Sequence, residues 1–256
     1  YIDWVSNALQ GDFGRSWAHR MPVTQIIGQR IMPTISLSLL MTIITYLVGL
    51  PLGLLAGRYQ NSLLDRLVNI YNFFTYAIPS FVAGLLMLWI FGYSLGWFPT
   101  RGTVGSGVAP GTLEYFLSRL HHMILPAITI GLLSTTSIIQ YLRTGVVDAK
   151  TQDYVRTARS KGVPEDKIYS KHIFRNSILP IAQSMGYTLT GLISGSVITE
   201  QIFTYQGMGQ LFISSITGRD FAVMTTLVLL FGLMTLFGTL ISDIIMIFVD
   251  PRIRIR

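Results

Sequence analysis

The chain contains no cysteine. No disulfide and no thiolate-held metal can be written into it. Charge is scarce as well: 12% of the 256 residues are Asp, Glu, Lys or Arg, while 50% are hydrophobic. A soluble domain carries about a quarter charged residues, so the apolar excess has to face lipid or neighbouring helices. No G-x-x-x-x-G-K-[ST] run occurs, and no loop is shaped to cradle nucleotide phosphates. There is no His–Glu metal motif and no pair of intramembrane carboxylates, which argues against a membrane-embedded hydrolase. No internal repeat and no relay of carboxylates and histidines crosses the apolar segments, which argues against a secondary transporter. The net charge is +7, but arginines and aromatics are not interleaved on a polar domain, so no nucleic-acid partner is expected. The basic excess reads as membrane topology. Tyr1 is not a plausible start and no signal-peptide pattern opens the chain.

What is present is a series of long apolar stretches. A spanning helix needs about 20 mostly apolar residues, and five segments qualify: about 31–56, 71–95, 124–147, 177–203 and 221–249. The fold expected is all-α, a polytopic membrane helical bundle. Prolines Pro33, Pro51, Pro79, Pro126 and Pro180 mostly sit near the expected span ends, where a missing amide is tolerated. Lys and Arg in short loops set orientation. One side receives Arg58, Arg66, Lys150, Arg156, Arg159, Lys161, Lys167, Lys171, Arg175, Arg252, Arg254 and Arg256. The other receives Arg15, Arg20, Arg30, Arg101, Arg119 and Arg219, about half as many. The richer side is read as cytoplasmic. Segment 1–30 is then external and the tail at 250–256 cytoplasmic, and one further span upstream of Tyr1 is expected.

His121 and His122 open the third span. A metal site wants three or four converging ligands, so interfacial solvation is the preferred reading of this pair. Arg143, Glu200 and Asp243 are the ionisable residues noted within or near spans, and such residues are functional candidates by default. Arg143 is read as snorkelling near the cytoplasmic end.

The stretch YVRTARSKGVPEDKIYSKHIFRNSILP, from Tyr154 to Pro180, is unusually charged for its surroundings. Residues 152–161 read as a short amphipathic helix with Tyr154, Val155 and Ala158 on its apolar side. Gly162 sits where a C-cap wants positive φ, with basic residues suited to the helix C-terminus. Pro164 suits the first position of a second helix, with Glu165 and Asp166 in its first turn. A solvated positive-inside loop is the plain alternative. Caps, stripe and hinge together favour a rigid knob built to dock.

ARSKGVPEDKIYSKHIFRNSILP resembles the cytoplasmic EAA loop of ABC-importer permeases. QDYVRTARSKG is closer still to the dipeptide, oligopeptide and nickel branch, most like an oligopeptide permease of the B type. GDFGRS at 11–16, ITEQIFTYQGMGQL at 198–211 and DPRIR at 250–254 resemble further motifs of that branch. The resemblance implies the type I importer permease fold, with six spans where five are visible here and the first is absent. It implies a non-catalytic subunit of the bacterial cytoplasmic membrane that binds no cofactor, with ATP and Mg on partner ATPase subunits. The partners implied are a second homologous permease, two ATPase subunits, an extracytoplasmic peptide-binding protein and membrane lipid. Oligopeptides are the implied cargo, with dipeptides or nickel as alternatives.

Carried over by resemblance, the coupling loop spans 150–176. ATPase docking falls on Tyr154, Arg156, Thr157, Ala158, Arg159, Lys161, Gly162, Val163 and Pro164. The family's acidic first position is not matched, since Arg156-Thr157-Ala158 stands there. Small Ala158 and Gly162 would allow close approach, and the basic residues would meet acidic rims. Ser184, Thr188, Gly191, Gly195 and Thr199 recur at steps of three or four and are expected on one helix face. That face either packs helices closely through G-x-x-x-G or lines the pathway. Glu200, Gln201, Gly207 and Gly209 are expected to form an external gate or a contact for the binding protein.

Overall fold

The structure, a computed structural model, describes residues 2–249. The expected tail at 250–256, with its DPRIR motif, lies outside the described residues. Among them the regular structure is helical, apart from one isolated bridge between Arg15 and Pro22. In chain order the helices are α1 (Ile2–Leu9), α2 (Val23–Arg58), α3 (Leu63–Ala77) and α4 (Ser80–Met87), the last running into a π-helical stretch, Leu88–Ser94. Next come α5 (Leu113–Lys150), α6 (Asp153–Ser160) and α7 (Glu165–Lys167), continued by a π-helical turn, Ile168–Ile173. The remainder are α8 (Phe174–Ser177), α9 (Leu179–Ser194), α10 (Val197–Ile202), α11 (Met208–Thr217) and α12 (Phe221–Val249).

Among the described residues three helices are long and apolar enough to cross a membrane, or four if the interrupted pair α3 and α4 counts as one. The segments expected at 31–56, 124–147 and 221–249 fall in α2, α5 and α12. With 36 residues at 1.5 Å each, α2 is about 54 Å long, well beyond a hydrocarbon core of about 30 Å. Because the helices overrun their apolar segments, Pro33 and Pro51 lie inside α2, and Pro126 inside α5, rather than near ends.

The two other expected spans are not single helices. Segment 71–95 begins earlier, at Leu63, where Ser62 caps α3 by accepting a hydrogen bond from the Asp65 amide at 3.2 Å. It breaks at Ile78, whose extended conformation (φ −84°, ψ 120°) is the one a following proline imposes. Segment 177–203 breaks at Gly195, which has φ +66°, so α9 and α10 are separate and neither reaches spanning length.

Contacts divide the chain into two compact units. The first gathers residues up to 41 with 81–129 and 188–238. Its core joins Val23, Ile26 and Ile27 of α2 to Met208 and Leu211 of α11 and to Val223 and Leu227 of α12. The second gathers 42–80 and 130–187 with the last part of α12. Here α2 packs on α5 through a stripe of glycines. A Cβ built at Gly49 would lie 3.0 Å from Ile138, one at Gly53 3.0 Å from Leu142, and one at Gly57 2.6 Å from Val146. Only hydrogen at these positions lets the backbones approach so closely.

The second unit also holds a buried ion pair. Asp65, in the first turn of α3, is 2% exposed. Arg143 of α5 donates to both its oxygens, at 2.6 and 2.8 Å, and the Asn61 amide adds a bond at 2.8 Å. Arg143 therefore does not simply snorkel; it neutralises a buried carboxylate that the sequence reading overlooked.

Four variants test this packing, each read as thermal melting of the purified protein in detergent. Gly57→Ala should cost about 1–3 kcal/mol by overpacking. Gly191→Ala, where no atom lies within 4 Å of the added Cβ, should be neutral or gain up to about 1 kcal/mol from helix propensity. Arg143→Leu strands the Asp65 charge and should cost about 3 kcal/mol. Adding Asp65→Asn should recover part of that loss, since no buried charge then remains.

Candidate functional site

The charged segment folds as its residues require. Helix α6 ends at Ser160 with Lys161 as C-cap, and Gly162 follows in the left-handed region (φ +72°). The Gly162 amide donates to the Arg159 carbonyl at 2.9 Å and the Val163 amide to the Ala158 carbonyl at 3.2 Å. This pair of bonds is a Schellman motif, which satisfies carbonyls that a helix end leaves bare. Pro164 occupies the N-cap of α7, one position earlier than expected.

Val155 (0% exposed) and Ala158 (6%) face inward. They join Ile168, Tyr169 and Ile173 in one core with Ile138, Leu142, Val146 and Ala149 of α5. Ala158 is thus buried in the chain's own core and cannot be the surface of close approach to a partner. Tyr154, placed on the apolar side from sequence, is 39% exposed and lies off the buried stripe. Val163 is half-buried against the same core.

The charges are also partly used internally. Across the hinge, Arg159 Nε donates to Glu165 Oε1 at 2.7 Å. That guanidinium holds the Glu165 carboxyl below its ordinary value. Arg159 is therefore first a strut of the hinge and only then a cation for an acidic rim. Arg58, at the end of α2, pairs with Asp166 at 2.7 Å and stacks over the Tyr169 ring, 4.7 Å from its centroid. Lys150 donates to the carbonyls of Gly57 and Arg58 at 2.9 and 3.0 Å, closing the C-terminus of α2. Arg58, Lys150 and Tyr169 were not among the sequence-derived site residues; the first two registered there only as topology charges. Of the expected docking residues, Tyr154, Arg156, Thr157, Arg159, Lys161, Gly162 and Pro164 are exposed, while Val163 is half-buried and Ala158 buried.

A second constellation lies in the first unit. Glu200 is 0% exposed. Its carboxylate accepts from Thr34 Oγ1 at 2.7 Å and from the Gln210 amide at 3.0 Å. Thr34 in turn accepts from the Met208 amide at 2.7 Å. Together the two side chains satisfy the free amides at the start of α11, where negative charge is also favoured. Gly207 and Gly209 are buried, and a Cβ at Gly207 would collide with Thr34 and Glu200. Glu200, Gly207 and Gly209 are therefore an internal anchor, not an external contact, because none of them reaches the surface. Of the expected gate residues Gln201 alone is exposed.

The expected face at 184–199 divides. Ser184, Thr188 and Gly191 share α9, and all three are half-buried. Gly195 ends that helix, and a Cβ there would lie 2.6 Å from Thr34 and 2.7 Å from Glu200. Thr199 belongs to α10 and is fully buried. The two glycines of G-x-x-x-G thus do different things: Gly195 makes room for the Glu200 anchor, and Gly191 faces open space. His121 and His122 each meet a backbone carbonyl, of Trp97 at 2.9 Å and Ser118 at 2.7 Å.

A family described as binding-protein-dependent transport system inner membrane component matches residues 49–255. The chain is 36% identical to the oligopeptide transport system permease protein AppB of Bacillus subtilis, over 99% of this chain and 79% of AppB. It is 33% identical to the glutathione transport system permease protein GsiC of Escherichia coli (strain K12), over 99% of this chain and 78% of GsiC. A chain of the MetNI methionine ABC transporter, solved in inward-facing conformations, superposes with a TM-score of 0.67. That match covers 89% of this chain and 97% of that one at 16% identity, a likeness of fold.

The anchor separates two neighbouring residues experimentally. Glu200→Ala removes the hydrogen bonds to Thr34 and to the Gln210 amide, leaving buried donors unpaired, and should destabilise the protein by about 2–3 kcal/mol. Gln201→Ala should stay within about 0.5 kcal/mol of the parent. Thermal melting in detergent reads both, and equal effects would show that Glu200 is no anchor.

Proposed function

The chain belongs to the family of binding-protein-dependent transport system inner membrane components, and from that premise we propose that it carries oligopeptides into the bacterial cell. It is a permease component of a binding-protein-dependent ABC importer. Oligopeptide cargo is supported by the identity to AppB, which exceeds that to GsiC. In this reading the chain pairs with a second, homologous permease. Two ATPase subunits sit on the cytoplasmic side, where this chain's C-terminus lies, and a peptide-binding protein delivers cargo outside. ATP and Mg act on the ATPase subunits, and this chain's part is mechanical.

The observation that carries the reading is a stiff, capped, two-helix segment whose inner face is continuous with the core around α5. The outward side of α6 and the hinge, with Tyr154, Arg156, Thr157, Lys161, Gly162 and Pro164, docks in a groove of the ATPase. When the ATPases close, the segment moves with them. Force passes through Val155, Ala158, Ile168 and Ile173 to Leu142 and Val146 of α5. It passes through Asp166 and Tyr169 to Arg58 of α2. The spans then change inclination by rigid-body rocking rather than by local unfolding.

Crosslinking tests the docking directly, because this chain has no cysteine of its own. Ser160→Cys is preferable to a change at Gly162, whose φ of +72° would strain any other residue. With a second cysteine in the ATPase groove, the crosslink should form and its yield should change on adding ATP. An intact complex that gives no crosslink would return the segment to an ordinary solvated loop.

A further inference from the structure

The turn at residues 14–22 is held far more firmly than a connector requires. The Ser16 hydroxyl donates to Asp220 Oδ2, and the Ala18 amide donates to the same oxygen at 3.2 Å. The His19 amide donates to Ser16 Oγ at 2.8 Å, and Ser16 and Val23 amides close the turn on Met21 and Gly14 carbonyls at 3.0 Å each. Arg15 donates to the Arg20 carbonyl at 2.9 Å, and Arg20 is held in the left-handed region at φ 55°. Asp220 is 2% exposed. Burial alone would raise its pKa, but the Ser16 hydroxyl and the Ala18 and Val223 amides hold it below the ordinary value, so the anchor is charged.

Apart from the Arg15 bond to the Arg20 carbonyl, this rigid turn presents side chains outward. Trp17 is 80% exposed. Arg15, His19, Arg20 and, beside the anchor, Arg219 are exposed as well. An exposed tryptophan among arginines is the residue choice of interface hot spots. A lipid anchor would need the turn at headgroup level. The apolar part of α2 opens near residue 31, whereas the helix opens at Val23. Those eight residues rise about 12 Å, and the turn precedes them, so it stands clear of the hydrocarbon. Lipid contact also needs no turn fixed through a residue some 200 positions away.

We propose that the 14–22 turn is a docking surface for the importer's extracytoplasmic binding protein, with Trp17, Arg15, His19 and Arg20 meeting an acidic patch on that partner. The assignment rests on the transport reading above and on segment 1–30 being external. The basic side chains attract the partner, and Trp17 is the desolvated centre of the contact.

The test uses the complete transporter in nanodiscs with its cargo-loaded binding protein. Trp17→Ala combined with Arg20→Glu should raise the half-saturating concentration for ATPase stimulation about tenfold or more. The maximal rate at saturation should be kept. Salt should weaken the parent's response and barely affect the variant's. An unchanged half-saturation overturns the proposal. An unchanged half-saturation with a new dependence on anionic lipid overturns it in favour of a lipid anchor. Trp17→Cys gives a second reading that does not need the double variant. An impermeant maleimide added outside should label it, and loaded binding protein should slow that labelling. No protection overturns the docking surface, while labelling only from the cytoplasmic side overturns the topology beneath it. A parent complex that no binding protein stimulates overturns the transport reading, and this proposal with it.

Discussion

Charge that leaves water inside an apolar molecule must find its partner within the chain, and three carboxylates here meet that demand in the same way. Asp65 sits in the first turn of α3 and takes Arg143. Glu200 closes the start of α11 with Thr34. Asp220 precedes α12, accepts from the Val223 amide and fixes the 14–22 turn. For Glu200 and Asp220 a helix N-terminus supplies amides that have no helical partner, and the acid supplies the acceptor; Asp65 takes the Asn61 amide, just before α3, beside its arginine. The arrangement explains why glycine stands at 195 and 207: an ordinary side chain would displace the Glu200 carboxylate from its donors. It also explains why these acids are poor candidates for cargo binding, since their lone pairs are already engaged.

The coupling segment obeys the complementary rule for apolar groups. Its inner residues are as buried as those of the spanning helices, with Val155, Ile168 and Ile173 each 0% exposed. A segment packed to that degree cannot shift relative to α5 without opening a cavity, at about 2–5 kcal/mol for each large side chain uncovered. It therefore moves as one body with α5. The glycine stripe along α2 and the Arg58 contacts extend that body to a second helix. In the proposed reading, docking and transmission fall on different residues of the same short helix, the exposed side touching the partner and the buried side, Val155 and Ala158, carrying the load.

How much of this was legible in sequence depended on which physical signal a residue leaves. The hinge at Gly162 was readable because glycine followed by proline and acids marks a helix end and a new start. The long helices were readable from apolar length. Continuity was not, because hydropathy measures whether a segment tolerates lipid, not whether its backbone runs straight; the breaks at Ile78 and Gly195 are conformational. Ala158 was misplaced because an alanine on an amphipathic helix looks the same whether its face meets the chain's own core or a partner. Glu200 was read as external because a lone acid near a span end usually is, and its donors, Thr34 and the α11 amides, lie far off in sequence. G-x-x-x-G was sought at 191–195, while the working stripe at 49, 53 and 57 repeats the same spacing in α2. Asp65 carried a usable signal, the S-x-x-D spacing of a helix start from Ser62, although its partner Arg143 could not be inferred from it.

In the transport reading proposed above, cargo selection falls on the external partner. AppB and GsiC carry names for different cargoes, yet both align over 99% of this chain at 36% and 33% identity. Whatever the three sequences share serves both cargoes and so cannot discriminate between them. The features described above, anchors at helix starts, close α2–α5 packing and a capped two-helix segment, concern how this chain holds together. A carrier that must let varied peptides leave again gains nothing from a deep, specific site in its conduit, since tight holding would slow release. Selection at the external partner, before the conduit opens, removes that conflict. The permease then needs only to recognise that its partner has arrived, which a fixed external surface does better than a flexible one, because less ordering entropy is lost on contact.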